Sequence, residues 1–81
     1  MEAQTKQKIF DVIKDDINSD PKKIDPDKAI RDQVSLDSMQ FIGLIARLET
    51  ELGIELPMTV MEAKTLNEFL DVVDGEMKNK N

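Results

Sequence analysis

Phe41, Leu44, Ile45, Leu48 and Leu52 recur at intervals of three and four residues, a spacing that puts all five on one face of a helix and on no face of a strand. That helix is read from Ser38 to about Leu52, with Asp37 or Ser38 capping its exposed amides and Gly53 ending it in the left-handed conformation. Two further periodic stretches flank it. Ile9, Phe10, Ile13 and Ile17 mark one face between about Gln4 and Ile17. Leu66, Phe69, Leu70, Val73 and Met77 mark another after Thr65-Leu66-Asn67-Glu68, which fits a capping box. Asp74-Gly75 is expected to weaken the last turns, with Met77 to Asn81 fraying. Asn18-Ser19-Asp20-Pro21 stops the first helix, and Pro26 keeps the stretch to Leu36 from becoming a second. Ile24, Ile30, Val34 and Leu36 are spaced to pin that long loop across the bundle. No strand pattern, repeat or low-complexity tract appears. The expectation is an all-α single domain over residues 1–81: three main helices, a short helical piece at Thr59 to Ala63, and a long loop between helices one and two.

Composition narrows the function. A chain of 81 residues builds one small core, too little to enclose a substrate. It has no Cys and no His, which removes disulfides, thiolate zinc sites and the usual general base, and fits a reduced, cytoplasmic setting. No run approaches the roughly 18 apolar residues of a membrane helix, and Met1-Glu2-Ala3-Gln4-Thr5-Lys6 lacks the apolar stretch of a signal peptide. A net charge of -6 argues against nucleic acid and for partners with basic surfaces. Asp25-Pro26-Asp27 opens like a calcium loop but lacks the glycine and closing glutamate, and Lys22-Lys23 is too short for a nucleic-acid patch. No metal site is read from the remaining, scattered carboxylates.

Against that background Leu36-Asp37-Ser38-Met39 stands out as a hydroxyl beside an acid at a helix N-terminus, in a chain with nothing to activate it. Such a serine is read as modified rather than catalytic. Ser35, three residues earlier, is a second candidate, or a loop and capping residue.

Taken together, these residues resemble the acyl carrier proteins over nearly the whole chain. Val34-Ser35-Leu36-Asp37-Ser38-Met39 is similar to the family's Leu-Gly-x-Asp-Ser-Leu, and Gly53-Ile54-Glu55-Leu56-Pro57 to its Gly-Ile-x-Ile-Pro. Counting back from the second motif lands on Ser38 and puts Ser35 where the family has glycine. The resemblance implies that a phosphopantetheinyl transferase moves 4'-phosphopantetheine from coenzyme A to Ser38, with Asp37 aiding docking and metal-assisted transfer. The helix N-terminus suits the resulting phosphodiester. The arm's thiol would explain the missing cysteine, and the chain would carry acyl thioesters without being an enzyme. Ile42, Ile45, Val60, Met61 and Leu66 are candidates to line an acyl site, although each taken alone reads more readily as an ordinary core residue. The implied role is a monomeric shuttle between acyl-transferring and acyl-modifying enzymes of fatty-acid or related lipid or polyketide biosynthesis. A D-alanyl carrier shares the Asp-Ser pattern; a peptidyl carrier would show Gly-Gly near Val34-Ser35-Leu36; a helical interaction module would never accept the arm.

The departures are informative. On a helical wheel Met39, Gln40, Gly43, Ala46, Arg47 and Thr50 face outward, and none is acidic. With Ile42 they form the candidate docking face. Gln40, Gly43 and Thr50 stand where general fatty-acid carriers have acids, and Arg47 adds a positive charge; Asp37, Glu49, Glu51, Glu55 and Glu62 are the acids left nearby. Gly43 costs about 1 kcal/mol of helix propensity relative to alanine. Surface drift accounts for this pattern, or a specialised carrier does, docking through a flatter and more apolar patch onto basic or apolar partner surfaces.

Overall fold

In the computed structural model, which describes residues 1–80, α1 spans Ala3–Ile17, α2 Ser38–Leu52 and α3 Leu66–Asn79. Three 3₁₀ turns connect them, at Pro21–Lys23, Ile30–Asp32 and Met58–Glu62. The architecture is the expected small all-α bundle. Its fourth piece begins one residue earlier than the sequence indicates and is 3₁₀, since Pro57 at one end and Ala63 in extended geometry at the other leave room for five residues.

α2 has the boundaries and the buried stripe that its spacing dictates: Phe41, Leu44, Ile45, Leu48 and Leu52 are all buried, and Gly53 ends it at φ 64°. α1 differs in one shoulder of its stripe. Ile9, Val12, Ile13 and Ile17 are buried, while Phe10 is only half-buried with the Lys6 ammonium 5.6 Å from its ring centroid. Phe10 and Val12 lie on opposite edges of the face, and the neighbouring helices, not the spacing, decide which edge is covered. In α3 Leu66, Phe69 and Val73 are buried, whereas Leu70 and Met77 are half-buried against the core. The Phe41 and Phe69 rings meet at 5.8 Å and 50° in the centre.

Gly75 does not end α3, which continues through Asn79. The Lys80 ammonium donates to the Leu52 carbonyl at 2.7 Å, and Asp74 pairs with Lys78 and with the Met1 amino group, both at 3.3 Å. These contacts hold the turns that were expected to fray; the end of that stretch, Asn81, lies outside the described residues.

The loop between α1 and α2 is ordered by side chains. Asn18 ends α1 at φ 53°, and Ile24 is buried. Gln33 clips the loop to itself: its Oε1 accepts from the Asp25 amide at 2.7 Å, and its Nε2 faces the carbonyls of Asp25, Lys28 and Ala29 at 3.0, 3.2 and 3.3 Å. The loop is then tied to the start of α3 by the Ile30 amide on the Lys64 carbonyl at 2.8 Å and the Asn67 amide on the Pro26 carbonyl at 3.1 Å. An isolated antiparallel bridge joins Ala29 and Thr65. The radius of gyration, 11.6 Å, equals the value of about 11.7 Å for a fully packed chain of this length, so the loop belongs to the body.

Candidate functional site

Ser38 is the first residue of α2, and its side chain is exposed. Asp37 is the N-cap. The Gln40 amide donates to Asp37 Oδ1 at 2.7 Å, and the Asp37 amide donates to Gln40 Oε1 at 3.0 Å, a complete capping box. The pattern Asp37-x-x-Gln40 carried that signal, but Gln40 reads from the wheel as a docking residue. The consequence is chemical. The first-turn amides of Gln40 and Phe41 are committed to Asp37, the latter to its carbonyl at 3.0 Å, which leaves those of Ser38 and Met39 as free donors at the helix mouth. An exposed hydroxyl with two free amides beside it is a fitting seat for a phosphodiester, in spite of the Asp37 carboxylate next door. Ser35 is exposed in the loop before the cap, and its side chain makes no capping hydrogen bond among the described residues.

The remaining candidates separate into distinct places. Met39 (80% exposed) and Ile42 (52%) project from α2 with Gln40, Gly43, Ala46 and Thr50, all exposed. Arg47 is set apart from them. Its guanidinium spans to α1, donating to Asp16 Oδ1 at 2.7 Å and to Asp15 Oδ2 at 3.3 Å. The Asp16 hydrogen bond raises its pKa from the ordinary value against the opposing effect of burial, and the positive charge is matched by the two α1 carboxylates at the surface between the helices. The uncharged face is thereby extended. Met58 (84% exposed) and Met61 (37%) are two further exposed apolar side chains, on the 3₁₀ turn, where i, i+3 positions eclipse and put both on one side.

The five acyl-lining candidates do not share a cavity. Ile45 and Val60 are packed in the core and Ile42 points outward. Leu66 borders an interior void of ≈ 20 Å³, room for one water at most. Met61 alone lines a larger groove of ≈ 420 Å³, whose other walls are Ala29, Ile30, Leu36, Phe41 and Ala63, with Arg31, Glu62 and Lys64 at its rim. Leu36 and Phe41 bracket Ser38 in the chain, so two of the groove's walls lie two residues before and three residues after the candidate attachment point.

The family model for the phosphopantetheine attachment site matches residues 7–73. The chain belongs to the acyl carrier protein family. It is 27% identical to the acyl carrier protein of Thermosynechococcus vestitus, over 94% of this chain and 95% of that one. It is 32% identical to that of Chlorobium phaeobacteroides over 69% and 72%, and 23% identical to that of Micrococcus luteus over 83% and 84%. No solved structure matches it. This acyl carrier protein is therefore a non-catalytic carrier of acyl groups on a covalent 4'-phosphopantetheine arm, served by a phosphopantetheinyl transferase and by biosynthetic enzymes. No helix of the carrier is long and apolar enough to cross a membrane.

Proposed function

We propose that Ser38 bears the arm, and that the 81 residues form one monomeric, cytoplasmic domain shuttling acyl thioesters between enzymes of fatty-acid or related lipid or polyketide biosynthesis. The observation that carries this reading is the exposed Ser38 hydroxyl beside two uncommitted amides at the N-terminus of α2. In the transfer, Ser38 Oγ forms a bond to the phosphorus that bears the pantetheine of coenzyme A, and the bond from that phosphorus to the nucleotide portion breaks. The hydroxyl proton passes to a base of the transferase, because this chain has no histidine or cysteine to take it. The Ser38 and Met39 amides then hold the phosphodiester, and the dipole of α2 favours its charge. Incubation with a broad-specificity transferase and coenzyme A, followed by intact mass, tests the assignment. One arm is expected on the native chain and on Ser35→Ala, and none on Ser38→Ala; a gain that survives Ser38→Ala sinks it.

The docking face supports a specialised pathway. Met39, Gln40, Ile42, Gly43, Ala46 and Thr50 present no charge, Arg47 is paired with Asp15 and Asp16 of α1, and the surface suits an apolar partner patch better than a basic one. Housekeeping fatty-acid synthase enzymes are expected to turn this carrier over more slowly than a carrier with an acidic second helix. Equal kcat/KM for the two would show that no specialisation exists.

A further inference from the structure

The ≈ 420 Å³ groove, two of whose walls, Leu36 and Phe41, flank Ser38 in the chain, has walls that are tied to one another. Its loop wall and its 3₁₀ wall are joined by the Ile30-to-Lys64 backbone hydrogen bond at 2.8 Å, and Asn67 Nδ2 donates to Asp27 Oδ1 at 2.6 Å just behind it. The floor is apolar. The rim carries two cations, Arg31 and Lys64, and one carboxylate, Glu62. Arg31 lies with its guanidinium carbon 6.0 Å from the Phe41 ring centroid, so its charge sits over one wall of the cleft. Like most of the chain's basic side chains, Arg31 and Lys64 have no ion-pair partner among the described residues; what sets them apart is that both border one apolar cleft. In a chain with 17 acids and 11 bases, two uncommitted cations on one apolar cleft oppose the prevailing field.

An alkyl group alone does not satisfy such a site. Lying against Phe41 and Met61 it would gain apolar contact but would leave the two rim cations, Arg31 and Lys64, without a counter-charge. The interior offers no alternative, since its void holds one water at most. An acyl group that ends in a small anion satisfies both parts: methylenes on the floor, and charge-assisted hydrogen bonds at the rim, two cations outweighing Glu62.

We propose that the groove receives the thioester-bound acyl group and selects cargo with an anionic distal end, a carboxylate being the simplest, held by Arg31 and Lys64. The proposal rests on Ser38 as the attachment point, because the arm must fold back past Leu36 and Phe41 to deliver the cargo. The arm's own phosphodiester is the other anion that the modification brings, and the test separates the two. Four forms of the carrier are compared by nuclear magnetic resonance: unmodified, arm only, hexanoyl-loaded and adipoyl-loaded, the last two matched in carbon number but differing in the terminal carboxylate. Intact mass first establishes loading at Ser38; failure there removes the attachment reading and this proposal with it. Adipoyl is expected to shift the Arg31 side-chain N–H and the Lys64 and Met61 signals where hexanoyl and the bare arm do not. Adipoyl should also slow capture of the thioester by an external thiol about two- to fivefold relative to hexanoyl, the scale of an exposed ion pair. In the double variant Arg31→Ala/Lys64→Ala, which alters only exposed side chains, both differences should vanish. A loaded carrier in which hexanoyl and adipoyl behave alike, or in which the arm alone already produces the full shift, overturns the proposal.

Discussion

Asp74 gathers two positive groups, the Lys78 ammonium and the Met1 amino group, each 3.3 Å from one of its oxygens. The hydrogen bond with Lys78 is the main cause that lowers its pKa below the ordinary 3.8; partial burial works against it, and the Met1 amino group assists. The folded state therefore binds this proton less readily than the unfolded state. Stability from the group is fully present above 3.8 and is lost as the pH falls through the lowered folded value. Asp74→Asn should melt below the native chain at neutral pH, with the two melting temperatures converging in acid below 3.8; a gap that persists there would place the effect in packing instead. Ser38 shows the same reliance on neighbours. Its hydroxyl is ordinary, and what distinguishes it is that Asp37 and Gln40 satisfy each other and leave the two amides next to Ser38 open.

The three α-helices were legible because their signals are local. Asp37 and Gly53 bound α2, Thr65 caps α3 through the Glu68 amide at 3.1 Å, and each stripe repeats within a few turns. What could not be read depends on contacts between distant residues. Arg47 meets Asp16 across 31 positions, and Gln33 folds the loop by reaching back eight residues to Asp25. The groove is likewise assembled from three separated segments, so Arg31 and Lys64 give no sign of each other in the sequence. Gly43 offers a test at this scale. It sits in the exposed interior of α2, and a Cβ there would meet nothing within 4 Å. Gly43→Ala should raise stability by about 1 kcal/mol in urea unfolding, because only propensity changes. No gain would mean that the helix bends locally at this point. If the glycine serves close approach by a partner, the same variant should dock more weakly while folding better.

Across the whole molecule fifteen buried apolar residues carry the fold, with no buried polar or charged side chain among the described residues. Leu48, fully buried in the middle of α2, has no partner to replace it. Leu48→Ala should cost about 2–5 kcal/mol, comparable to the entire margin of so small a core, and leave the chain largely unfolded at 37 °C by circular dichroism. A variant that still melts near the native temperature would show that the core relaxes around the loss. The capping box, finally, has a bearing on how cargo meets enzymes. It ties down the backbone on which Ser38 sits while leaving the side chain outside, so with the arm on Ser38 the thioester's reach is set by the tether. A partner resting on α2 then meets the thioester at an effective concentration set by tether length alone, on the order of millimolar for a short flexible link, whatever the concentration of carrier in the cell.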